Sequence, residues 1–194
     1  MADSIKHLQK GDGLLVIDVQ WDFCPGGRLP VPGGHEIIPV LNEWITAALD
    51  LELPVYASRD WHPRGHISFT GRGGAWLPHC IQDTDGAQFH PELIRDDRIV
   101  VVTKGVRFDH DQNSVFHDTG FARQLEYDGV SRLYVGGLAL DGCVLKSVMD
   151  ALQAGLRVGV IQEATRAVEA EKGRRALETM IKAGALVIGD PYQA

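Results

Sequence analysis

Short apolar runs alternate with longer amphipathic stretches along this chain. The runs at 14–17, 55–58, 99–103, 132–136, 157–161 and 185–188 have strand length, and β-branched residues crowd several of them. After the first run, Ile37, Leu41, Trp44, Ile45 and Ala48 recur at helical spacing. Further helices are predicted over about 121–127, 143–154 and 169–183. This alternation predicts a doubly wound, three-layer α/β/α fold with a six-stranded, mostly parallel sheet, spanning 1–194 as a single domain. From 61 to 94 the periodicity disappears and Gly, Pro, His and Trp become dense. A structureless loop of that length in a compact domain points to function.

Four of the predicted strands run into an ionisable residue. The first ends at Asp18, the second reaches Asp60 after one Arg, and the third leads to Lys104. The fourth passes through a Gly-rich turn to Cys143. Ligand crevices of open α/β sheets lie outside the carboxyl ends of the strands, so these residues should meet in one place. Two carboxylates, an ammonium and a thiol there suggest a cysteine-nucleophile hydrolase. Cys143 is expected at a helix start, where free N–H groups and the helix dipole favour thiolate over thiol. The same N–H groups could hold an oxyanion. Asp18, partly desolvated, could serve as the base, with Lys104 holding the charged forms in place. Taken singly, each has an ordinary reading: a packed Cys, a turn Asp, a surface Lys. Their common position at strand ends is what overrides it. Cys24 and Cys80 keep the ordinary reading.

Asp60 and His62, just past the second strand, form a second set with His79. One carboxylate and two imidazoles, with positions left for water or substrate, suit a catalytic divalent ion: zinc foremost, iron or manganese as alternatives. His66 could be a fourth ligand. His90 and His117 read as structural. Trp76 could wall a flat ring.

Composition narrows the field further. Hydrophobic residues make up 44% and charged residues 23%, ordinary values for a globular protein, and the net charge of −7 argues against a nucleic-acid partner. No apolar run approaches the roughly 20 residues that span a bilayer, and 1–12 is polar without a signal-peptide core. Three cysteines do not make a disulfide framework, so a reducing cytoplasm fits best. A homo-oligomer stays open.

The strings Asp18-Val-Gln-Trp-Asp-Phe23, Val31-Pro-Gly-Gly34, Ser58-Arg-Asp-Trp-His-Pro63 and Trp76-Leu-Pro-His-Cys80 are family marks. So are Lys104-Gly105 and Gly137-Leu-Ala-Leu-Asp-Gly-Cys-Val144. With them the chain resembles the nicotinamidase/pyrazinamidase branch of the isochorismatase-like cysteine hydrolases. The resemblance implies a catalytic triad of Asp18, Lys104 and Cys143, and a metal held by Asp60, His62 and His79. It implies a ring sandwich from Phe23 and Trp76, and an oxyanion hole from the N–H groups of Ala139 and Cys143 beside a cis peptide before Ala139. The implied reaction takes nicotinamide to nicotinate and ammonia through a cysteine thioester, with pyrazinamide as a second substrate. Two positions depart from the family pattern. Gly142 stands where an aromatic or His is usual, and Asn113 where Tyr is common. Both bear on substrate range and leave room for a related amidohydrolase acting on another small amide.

Overall fold

The computed structural model describes Ile5 and residues 8–189, so half of the polar stretch at 1–12 lies outside the described residues. Six strands, β1 (Asp12–Ile17), β2 (Val55–Asp60), β3 (Ile99–Lys104), β4 (Arg132–Leu138), β5 (Arg157–Arg166) and β6 (Leu186–Ile188), form one sheet in the order β3-β2-β1-β4-β5-β6. Every pairing is parallel. Among the described residues four α-helices accompany it: α1 (Ile38–Asp50), α2 (Phe121–Tyr127), α3 (Leu145–Gln153) and α4 (Ala170–Lys182).

The period-2 geometry of β1 sends its side chains to two cores. Leu14 and Val16 pack with Leu41, Trp44 and Ile45 of α1, whereas Leu15 and Ile17 pack with Leu125, Val148 and Met180 from the other three helices. The central strands are buried on both faces, which is why they read as continuous apolar runs rather than alternating ones. No helix of the described residues is long and apolar enough to cross a membrane.

The strand order reverses between β1 and β4, and a crevice opens beyond their carboxyl ends. The two strands approach so closely there that only glycine fits at 137. It sits at a φ of 126°, and a Cβ would fall 2.1 Å from the Ile17 carbonyl oxygen. The 61–94 segment lacks strands and α-helices, as expected, but is tied down by isolated bridges from His62 to Ile81 and from Phe69 to Trp76. One boundary moves. The helix expected from Cys143 begins at Leu145, preceded by a five-residue π-helical turn over Leu140–Val144. Gly142 breaks the helical pattern inside that turn, at a φ of −126° and a ψ of −111°.

Candidate active site

β1 delivers Asp18 to the crevice with an unusual backbone. At a φ of 50° this non-glycine residue is in the left-handed region, a conformation retained only where its surroundings over-determine it. The surroundings here are specific: its N–H donates to the Ser58 carbonyl at 3.1 Å, and the Ser58 hydroxyl donates to Asp18 Oδ1 at 2.7 Å. β3 ends at Lys104, which is fully buried. Its Nζ stands 2.8 Å from Asp18 Oδ2, 2.7 Å from Asp60 Oδ1 and 3.6 Å from Cys143 Sγ. The four strand-end residues thus meet around one ammonium.

The charges follow from that packing. Burial raises the Asp18 carboxyl above its ordinary value, and Lys104 opposes the rise only in part. Burial would raise Asp60 too, but Lys104 and His62 outweigh it and hold this carboxyl below the usual range. Burial alone would depress Lys104, yet Asp18, Asp60 and Cys143 keep it well above its ordinary value. At Cys143 burial pushes the thiol well above its ordinary value; Lys104 opposes this, while Asp18 and Asp60 add to it. The expectation of a thiolate favoured by a helix start is therefore corrected. The thiol sits in the π-turn ahead of α3, half-buried beside two carboxylates, a setting that disfavours the thiolate.

Asp60, His62 and His79 place one donor atom each within 4.8 Å of one another, all buried. Both imidazoles are fixed through Nδ1. That of His62 faces the Gly105 carbonyl at 2.9 Å, and that of His79 the Leu77 carbonyl at 2.7 Å. Donation from Nδ1 leaves each Nε2 with a free lone pair, the arrangement that outer partners impose on metal-binding histidines. His62 Nε2 lies 3.6 Å from Asp60 Oδ2. Burial would lower His62, but Asp60 and the Gly105 carbonyl outweigh it and raise this imidazole, so an ion would bind in exchange for its proton. Two imidazoles and a carboxylate fit a divalent ion of zinc type. Asp18, Asp60 and Cys143 are also close enough to chelate, but the Lys104 ammonium already stands among them.

His66 stays outside the three-donor group. Its ring packs against His62 at 4.2 Å between centroids, its Nδ1 lies 2.7 Å from the Ser68 hydroxyl, and its Nε2 is buried with no hydrogen-bond partner. Burial pushes it down to about 4. Phe23 and Trp76 both line the cavity, the first buried and the second partly exposed. Ala139, Gly142, Cys143 and Asn113 complete much of its wall. The Leu138–Ala139 peptide is cis, as the resemblance implies. The N–H groups of Gly142 and Val144 both turn back to the Ala139 carbonyl.

Several supporting residues carried no distinct signal when read alone. The buried Gln20 clamps the Asp60 backbone: its Oε1 accepts from the Asp60 N–H at 2.7 Å and its Nε2 donates to the Asp60 carbonyl at 2.7 Å. Asp22 accepts from the backbone N–H of Cys80, next to His79, at 2.8 Å. The first string of the chain is thus one strand-end carboxylate followed by two braces for the second donor set. Gly105, at a φ of 68°, is needed because a Cβ there would lie 2.4 Å from His62 Cε1. Spacing alone marks none of these contacts, which span 40 to 58 residues in sequence.

An isochorismatase domain matches residues 12–190. The nicotinamidase of Escherichia coli is 36% identical over 195 residues, covering 89% of this chain and 92% of the relative. The nicotinamidase/pyrazinamidase of Mycobacterium tuberculosis is 34% identical over 173 residues, covering 86% and 92%. The crystal structure of the Pyrococcus horikoshii pyrazinamidase in complex with zinc aligns with a TM-score of 0.90 at 39% identity, over 93% of this chain and 99% of that one. With the domain matched over nearly its whole length and relatives this similar, the chain belongs to the isochorismatase family.

Proposed function

We propose that this chain is a metal-dependent nicotinamidase, one domain over 1–194 at work in a reducing cytoplasm, that converts nicotinamide and water to nicotinate and ammonia. The observation that carries the reading is the Lys104 ammonium, in contact with Asp18, Asp60 and Cys143 at the edge of the Asp60, His62 and His79 donor set. The names of the relatives supply the substrate.

Burial and the two carboxylates disfavour the Cys143 thiolate, which calls for a base. Asp18, raised by burial, takes the Cys143 proton as Sγ bonds to the amide carbon. The carbonyl oxygen gains the negative charge and is held by the N–H groups of Ala139 and Cys143. The C–N bond then breaks, and the nitrogen leaves as ammonia with the proton that Asp18 returns. Asp18 next deprotonates a water, whose oxygen attacks the thioester carbon. The C–S bond breaks, nicotinate leaves, and Sγ recovers its proton. Lys104 keeps Asp18 oriented throughout and offsets each transient negative charge. Phe23 and Trp76 hold the ring. A divalent ion on Asp60, His62 and His79 would supply a Lewis acid for the ring nitrogen. His66, its ring 4.2 Å from that of His62 and its buried Nε2 without a hydrogen-bond partner, could supply a fourth ligand.

The test is a substrate panel with mass spectrometry of the quenched enzyme. Nicotinamide and pyrazinamide should turn over, non-aromatic amides should not, and Cys143 should carry the acyl group. One observation favours the alternative of a different small amide: a Cβ at Gly142 would meet only the Ala139 side chain, at 3.9 Å, so that wall has room to spare. Preference for a bulkier amide over nicotinamide would support that reading.

A further inference from the structure

A second cluster with the same donor chemistry lies on the loop between β3 and α2. His110, His117 and Asp118 each offer one ligand atom, and the three atoms fall within 4.8 Å of one another. The imidazole rings of His110 and His117 stack loosely, 4.9 Å between centroids. His110 Nε2 is 3.4 Å from Asp118 Oδ2. Donors around a tetrahedral zinc-type ion, with bonds of about 2.0–2.1 Å, stand about 3.3 Å apart, so this pair is already at coordination spacing. His110 Nε2 is buried and lacks a hydrogen-bond partner, an unexplained cost in a loop this polar. Asp118 sits at a φ of 55°, in the left-handed region.

We propose that His110, His117 and Asp118 form a second divalent-cation site, selective for borderline transition ions of the zinc class. Binding through His110 Nε2 requires the ring proton on Nδ1. Asp109 Oδ1, 3.4 Å from that nitrogen, is the carboxylate that would accept it, the arrangement common behind metal-bound imidazoles. The contact to displace is Arg107 Nε, 3.1 Å from the same Nδ1. Arg107 is exposed and also bound to Asp109 through its Nη2 at 2.8 Å, so it yields Nδ1 without losing its partner. Two carboxylates against one guanidinium leave the cluster with a net negative charge, which attracts a divalent cation. Magnesium and calcium prefer all-oxygen shells and are disfavoured.

The position of this site gives it a consequence for the cavity. The ion would staple residues 110 and 117–118 across a loop whose Asp111, Gln112 and Asn113 line the cavity wall. Gln112 is the link: its Nε2 donates to the His117 carbonyl at 2.6 Å, and its Oε1 accepts from the Gly105 N–H at 3.0 Å. Gly105 in turn orients His62. A filled surface site would stiffen this wall.

The test counts zinc in untagged protein, stripped by chelator and dialysed against a small excess of Zn²⁺. The wild type should hold two ions per chain, the His110→Ala/His117→Ala variant one, and the His79→Ala variant one. Equal zinc content in the wild type and the double variant would overturn the proposal. The His79→Ala variant separates this site from the buried one. In that background Zn²⁺ should slow hydrogen exchange over residues 107–118, and unchanged exchange there would equally count against the site.

Discussion

Two clusters in this molecule share a ligand set of one Asp and two His, yet differ in everything around it. At Asp60, His62 and His79 the donors are buried, and both ring tautomers are set by backbone carbonyls. Gln20 and Asp22 grip the backbone beneath them. At His110, His117 and Asp118 the donors are half-buried or exposed, on one loop, and the only carboxylate behind a ring is itself shared with Arg107. The first set is preorganised and its low-dielectric surroundings strengthen each interaction; the second must order itself on binding and competes with water. Donor identity is therefore a poor guide to role. The supporting hydrogen bonds distinguish a preorganised donor set from one that would order only on binding.

Experiments that perturb the buried cluster should produce the large effects. Cys143→Ala should reduce ammonia release from nicotinamide by about 10⁴-fold or more, as expected when a nucleophile is removed, while zinc content stays at the wild-type value. Loss of zinc along with activity would mean the thiol and the donor set are not separable. Gly105→Ala forces a methyl into the His62 ring and strains the backbone. It should weaken zinc binding at the buried set about 10- to 100-fold, read by chelator competition, since it disturbs an outer partner rather than a ligand. Unchanged affinity would show that the Gly105 contact does not orient His62. Gln20→Leu leaves the Asp60 backbone groups without their partners in a buried region. It should cost about 1–3 kcal/mol of stability in denaturant unfolding, and a neutral result would contradict the clamp. His117→Ala, on the exposed cluster, should change stability of the zinc-free protein by less than about 0.5 kcal/mol while removing one zinc per chain.

The legible part of this molecule was its framework. Apolar runs ending in Asp18, Asp60 and Lys104 mark strands and the site together: β1 and β2 are buried and leave the crevice as the place where a charge can end them, and the half-exposed edge strand β3 brings Lys104 to the same end of the sheet. The parallel pairing follows from the βα alternation, whereas the strand order comes from contacts that no local pattern encodes. The start of α3 was misplaced by two residues, since Gly142 permits a π-turn where propensity alone reads helix. That turn changes the setting of Cys143 from a helix start to a half-buried position beside two carboxylates. The braces Gln20, Asp22 and Ser58 were visible as residues and opaque as partners, because each acts on a segment far away in sequence. His117, read as structural, acquires its neighbours only through the fold of the 107–118 loop.

The central claim is that the buried donor set and the Asp18, Lys104 and Cys143 group act together on a pyridine carboxamide. Ammonia release from nicotinamide by the purified protein, measured as isolated, after chelation and after zinc add-back, tests it most directly. The account predicts activity that disappears with the ion and returns with it. Full activity in chelated protein, or none in zinc-loaded protein whose Cys143 is reduced, would contradict it.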